Sequence, residues 1–273
     1  MSKPINTEHL RRVLEDYVQE YPQRTNERDN FWRPPLLVTA EADQRFAVLP
    51  KIAAKNHLLP SDLLSSARTV IVFFIPFKVK LVEENHPGKF PCPNWGVAYE
   101  VTNQLINAAG ERIANVLRTC GNDAVPTPVT EEGFFARWSH KHIGYLCDLG
   151  RFGINAQLIT PAGCAGRMGS LITNADLGDH PLVTKSELCL YKNGWECLQC
   201  VPRCPVKAVS IEGIDYQRCS NRLKFNRKNR ISLGLGERTH GCAKCQVNLP
   251  CSLKDPTAEY AKDQAYMKQH TVI

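Results

Sequence analysis

The sequence predicts an α+β protein with a smaller C-terminal part organised by bound metal, and three observations carry that expectation. Residues 70–75, VIVFFI, form a run of β-branched and aromatic residues too apolar for an exposed strand, so they read as a central buried one. Residues 97–118 place Val101, Leu105, Ile106, Ala109, Ile113 and Leu117 on one helical face, with Gly121 near the C-cap. Eight of the twelve cysteines fall between Cys189 and Cys251, where apolar periodicity fades.

The remaining elements follow in order. Residues 7–21 space Leu10, Val13, Leu14, Tyr17 and Val18 helically, with Asn6 or Thr7 as N-cap. The stretch FWRPPLL is extended, because proline excludes the helix there. A short helical turn precedes the 70–75 strand, and a second helix is expected over 131–148. Glycines then break the pattern over 148–177, leaving short strands near 157–160 and 170–173. The expected division is an α+β cofactor- and substrate-binding part over 1–184, a metal-holding part over 185–256 and a tail over 257–273.

At 273 residues the chain can bury a sizeable core. Its opening, MSKPINTEHLRR, lacks an apolar signal segment, and the run at 70–75 is too short to span a bilayer, so a cytoplasmic protein without membrane contact is expected. The net charge of +7 concentrates in part at 221–230, NRLKFNRKNR, which reads as a solvated basic loop, with a phosphate or acidic-partner site as the alternative.

A disulfide framework needs a small secreted chain, so the clustered cysteines point to metal. The stretch CLQCVPRCPVKAVS gives Cys197, Cys200 and Cys204 in the pattern C-x2-C-x3-C-P, which belongs to iron–sulfur ferredoxins rather than to paired zinc knuckles. Position 194, where a further ligand would fall, is glycine. In two-cluster ferredoxins the cysteine before proline ligates the other cluster. Counting on that rule assigns Cys189, Cys197, Cys200 and Cys251 to one [4Fe–4S] cluster, and Cys204, Cys219, Cys242 and Cys245 to a second. Cys189 then substitutes for Gly194; the alternative is a small buried thiol there and a cluster with an open iron. Cys92, Cys120 and Cys147 lack ligand spacing and read as buried structural thiols, and Cys164 stands out only for its glycine-rich setting, PAGCAGRMG.

From about 58 to 251 the chain resembles the epoxyqueuosine reductases and, more remotely, the reductive dehalogenases. The likeness rests on DLLSSARTVIVFFIPF, LCDLGRFGINAQLITPAGCAGRMGSLITNADL, CLQCVPRCPVKAVS, DYQRC and GCAKCQ in that order. It implies a flavin-reductase/nitroreductase-like mixed sheet with helices, a bacterial-ferredoxin-like two-cluster domain, and a corrinoid (cobalamin) receiving electrons from the clusters. Three departures stand against it: glycine at 194, five residues rather than three between Cys245 and Cys251 with no following proline, and no aspartate in VPTPVTEEGFFARWSHKH, where the family has a catalytic one. Only 22 residues follow Cys251, too few for the helical tRNA-binding region of some members.

On that resemblance Gly150, Phe152, Gly153, Asn155 and Cys164 are the candidate corrinoid contacts, with turn and C-cap roles as the alternative for the glycines. His140, Lys141 and His142 are the candidate proton donors, although neighbours on a helix cannot all face one pocket. The function expected is an iron–sulfur oxidoreductase fed by an external low-potential donor, ferredoxin or flavodoxin, and passing electrons to a corrinoid or to a small or nucleotide-derived substrate held by the N-terminal part. The competing expectations are an electron-transfer protein that reductively activates a corrinoid protein, and tRNA queuosine modification. Nucleic acid ranks last, since the aspartate and the extra region are missing.

Overall fold

The computed structural model describes residues 5–25, 30–127, 137–183, 186–236, 239 and 241–262. Strands β1 (Leu36–Glu41), β2 (Thr69–Pro76), β3 (Ala124–Pro126), β4 (Arg151–Phe152), β5 (Leu158–Ile159), β6 (Gly166–Thr173), β7 (Val209–Ser210) and β8 (Gly213–Ile214) are interspersed with eight described helices. These are α1 (Thr7–Thr25), α2 (Leu49–Ile52), α3 (Pro60–Leu63), α4 (Val79–Glu84), α5 (Pro93–Thr119), α6 (His140–Leu146), α7 (Cys200–Arg203) and α8 (Tyr216–Lys228).

The main sheet has the order β1-β2-β6-β3, and β2 is buried along its whole length. Alternation on β2 sends Ile71, Phe73 and Ile75 to the face covered by α1 and α5, and Val70, Val72 and Phe74 to the face covered by α6. Both faces of one strand therefore carry core, which is why its sequence shows no polar alternation. The α+β class stands, but every pairing in this sheet is antiparallel, where a mixed sheet was expected. Helix α5 approaches β6 closely because Gly169 has no side chain: a Cβ there would collide with Phe73 and Ile106.

Asn6 caps α1 by accepting the amide of His9 at 2.9 Å, and Pro93 opens α5 at a position whose N–H has no helical partner. Of the helix expected over 131–148, residues 131–136 lie outside the described residues and α6 occupies 140–146. The division at 184/185 and residues 263–273 of the tail also fall outside them. The basic stretch 221–230, read as a loop, is helical through Lys228: Asp215 caps α8 by accepting the amide of Arg218 at 3.0 Å. Among the described residues no helix is long and apolar enough to cross a membrane.

The cysteine-bearing segment is tied to the sheet by backbone. The amides of Cys164 and Ala165 donate to the carbonyls of Cys251 and Ser252, each at 2.9 Å. Gly163, at φ +85°, permits this, because a Cβ there would meet the Ser252 carbonyl.

Candidate functional site

All twelve cysteines are free thiols, and eight of them line two cavities. An open cleft is lined by Cys204, Cys219, Cys242 and Cys245 together with Phe77, Trp95, Tyr99, Lys141 and Arg167 from the α+β part. A smaller cavity is lined by Cys189, Cys197, Cys200 and Cys251, with Gly153, Ile154 and Asn155 beside them.

Local structure explains how each thiol arrives. Gly194 sits at φ +83° in a turn closed by the amides of Asn193, Gly194 and Trp195, which donate to the carbonyls of Cys189, Tyr191 and Leu190 at 3.0 Å each. A side chain at 194 would be strained in that left-handed backbone, and the turn folds Cys189 back to the cavity instead. Pro205 ends the α7 turn, and the amide of Ala208 donates to Cys204 Sγ at 3.1 Å. Cys219 stands in the first turn of α8. A left-handed residue, Ala243 at φ 58°, separates Cys242 from the 3-10 turn that carries Cys245. Asn155 donates to the Cys245 carbonyl at 2.6 Å, joining the walls of the two cavities.

Burial disfavours the charged form of five of the eight thiols, Cys197, Cys200, Cys219, Cys242 and Cys245. Burial first, then the neighbouring thiolates, push Cys200 up to about 12 and Cys219 up to about 11, and raise Cys245 as well. Cys251 alone is lowered, because the Cys164 thiol donates to it while itself staying protonated. The cleft offsets this charge: Lys141, Arg167, Arg222 and Lys244 line it, and its lining includes no aspartate or glutamate. Among the described residues no three Cys, His, Asp or Glu side chains converge tightly enough to hold a single metal ion. A lone tetrahedral zinc would bring its sulfurs within about 3.8 Å of one another.

The three candidate proton donors separate. Lys141 faces the cleft, with Nζ donating to the Ala156 carbonyl at 2.8 Å; burial lowers its pKa while Cys245 and Cys219 hold it up. His140 turns to the sheet, 2.9 Å from Ser170 Oγ, and His142 packs on Phe152 with its Nδ1 2.8 Å from Ser139 Oγ. Neither histidine lines the cleft.

The candidate corrinoid contacts are largely taken up within the chain. A Cβ on Gly150 would strike the Ile159 carbonyl and one on Gly153 would strike Asn155, so those glycines serve internal packing. Phe152 packs on His142 and Tyr145, Asn155 is spent on Cys245, and Cys164 is buried behind Cys251. No cradle for a flat macrocycle is formed by this set. Cys147 is buried as expected, but Cys120 is exposed at the C-cap of α5.

Sequence reasoning missed Arg167, Tyr99, Trp95 and Phe77. Arg167 lies with its guanidinium 4.1 Å from the Tyr99 ring, and Trp95 meets Phe77 edge-on at 5.1 Å. The available signal was an arginine between two glycines in an otherwise uncharged strand, GRMGSLIT, since a cation in such a place needs a reason.

No protein-family profile matches the sequence, and no curated protein sequence matches it. The fold has solved counterparts among reductases, in the two groups that the sequence resembles. Epoxyqueuosine reductase from Bacillus subtilis superposes with a TM-score of 0.53 at 14% identity, over 89% of this chain and 66% of that one. The enzyme from Streptococcus thermophilus gives 0.53 at 16% identity, over 88% and 66%. A reductive dehalogenase, whose structure suggests a mechanism for B12-dependent dehalogenation, gives 0.53 at 13% identity, over 86% of this chain and 32% of that one. The chain thus spans about two thirds of the length of those epoxyqueuosine reductases and about a third of the dehalogenase, and what it shares with them at this identity is the fold.

Proposed function

We propose that this chain is an iron–sulfur reductase. Cys189, Cys197, Cys200 and Cys251 would hold one [4Fe–4S] cluster, and Cys204, Cys219, Cys242 and Cys245 a second, in a ferredoxin-like part over 185–256 beside a flavin-reductase/nitroreductase-like part over 1–184. The observation that carries the reading is the division of eight free thiols into two cavities of four, one of which opens on an aromatic, cation-lined cleft. Such clusters supply low-potential electrons one at a time.

The chain's own residues select what those electrons reach. Phe77, Trp95 and Tyr99 offer apolar faces, and Arg167 and Lys141 offer positive charge, so the cleft suits a small planar anion as acceptor. Lys141 also stands where it can give a proton to a reduced product. The corrinoid that the resemblance implies finds no cradle in Gly150, Phe152, Gly153, Asn155 and Cys164. Free thiols throughout fit a reducing compartment such as the cytoplasm.

Anaerobic reconstitution followed by iron and sulfide analysis and electron paramagnetic resonance tests the reading. Iron and sulfide in equal amounts, sufficient for two cubane clusters and giving spectra of reduced [4Fe–4S] centres after dithionite, are expected. Zinc retained in their place, or iron bound without sulfide, would overturn it.

A further inference from the structure

Helix α8 has two working faces. Its inner side places Cys219, Arg222 and Leu223 on the cleft, and fully buried Asn226 donates to the Gly241 carbonyl at 3.0 Å. Its outer side carries Lys224, Arg227 and Lys228 in solvent. From 216 to 236 there are six arginines and lysines and no acidic residue.

Apolar side chains are exposed on the same element. Phe225 is 48% exposed, and Ile231, just past the helix end, is 85% exposed. Phe225 stacks on Phe90 at 6.0 Å, and the Arg222 guanidinium lies 4.1 Å from the Phe90 ring. An apolar centre with a cationic rim is the anatomy of a transient protein interface. Phe225 is six residues from Cys219, or about 9 Å along the helix axis.

We propose that Phe90, Lys224, Phe225, Arg227, Lys228 and Ile231 form the docking surface for a small acidic low-potential electron-carrier protein, which delivers its electron through the cluster at Cys204, Cys219, Cys242 and Cys245. This rests on the reading of those cysteines as cluster ligands. In the step the carrier is oxidised by one electron and the cluster is reduced by one; no bond breaks and no proton moves. A nucleic acid would also answer the positive charge, but it has no use for the exposed Ile231 or for nearness to a cluster ligand. An electron carrier has use for both.

The probe is a reduced plant-type [2Fe–2S] ferredoxin, mixed anaerobically with the cluster-loaded full chain while cluster bleaching is followed by stopped flow. For the wild type the second-order rate should fall steeply with added salt. The double variant Lys224→Glu/Lys228→Glu should lower it about tenfold or more at low salt, and Phe225→Ser should lower it at all salt concentrations. Dithionite should reduce all three proteins equally, which shows intact clusters in each. Unchanged ferredoxin rates in both variants would overturn the dock, as would tRNA binding that the variants abolish while ferredoxin rates stay the same. A chain whose iron dithionite cannot reduce would refute the cluster reading itself, a failure distinct from that of the dock.

Discussion

The Cys164 amide donates to the Cys251 carbonyl at 2.9 Å, which sets the buried Cys164 thiol beside the Cys251 thiol, whose pKa it lowers. Cys164 is therefore a fifth cysteine at the smaller cavity, held behind one of the four that line it. Hydrogen bonds to ligand sulfurs raise a cluster's potential by stabilising its more negative reduced state. Cys164→Ala should leave iron content unchanged and lower the midpoint of one cluster in a potentiometric titration, while Cys164→Ser, which keeps a donor, should lie near the wild type. Loss of iron in the alanine variant would make Cys164 a ligand; an unmoved midpoint would leave it a packing residue.

Gly194 and Cys189 form a complementary pair. The left-handed turn at Gly194 makes a side chain there costly, by about 1–2 kcal/mol, and that turn delivers Cys189 to the cavity. Cys189→Ala should remove iron from one cluster only, seen as loss of part of the resonance signal, whereas Cys120→Ala should remove none. Gly194→Cys should not rescue Cys189→Ala, because the position points along a strained backbone. Full iron retention in Cys189→Ala would favour a three-cysteine site.

What the sequence disclosed divides along physical lines. The strand at 70–75 and the helix at 97–118 were legible because burial on both faces, or on one stripe, writes itself into residue type. The grouping of cysteines was legible through ligand spacing, which is local. Helix α8 was not, since its outer face is charged and its inner face holds a cysteine, an arginine and an asparagine in place of an apolar stripe. The cleft was not either. Tyr99, Lys141 and Arg167 come from α5, α6 and β6, and only the antiparallel register of β6 on β2 and the packing of both helices on that sheet bring them together.

Arg167 stands in the cleft at a cost, because burial disfavours its charge. Replacement by a neutral residue should not lower stability much, and should weaken anion binding. With benzoate as probe, calorimetry should show binding to the wild type and about tenfold weaker binding to Arg167→Gln and to Lys141→Met. The thermal midpoint of each variant should stay near the wild type. Equal affinity for benzoate and for neutral benzamide would remove the anionic acceptor from the proposed function.

His57 fixes the start of α6. The Ser139 amide donates to His57 Nε2 at 2.8 Å, so the proton must be on Nδ1, which donates to the Leu58 carbonyl at 2.6 Å. Protonating Nε2 would set two donors against each other. Burial lowers the pKa of His57, and burial, then the charges of Lys141 and His57, brings His142 down to about 4. Unfolded histidine titrates near 6.5, so below that value the unfolded chain binds protons that the folded one refuses. Stability from these two rings is full above about pH 6.5 and falls as the pH drops toward 4. Urea unfolding at several pH values should show that decline, with a shallower slope in His142→Gln than in the wild type. His57→Ala should cost about 1–2 kcal/mol at neutral pH through the lost cap, and identical slopes in all three proteins would place the pH dependence elsewhere.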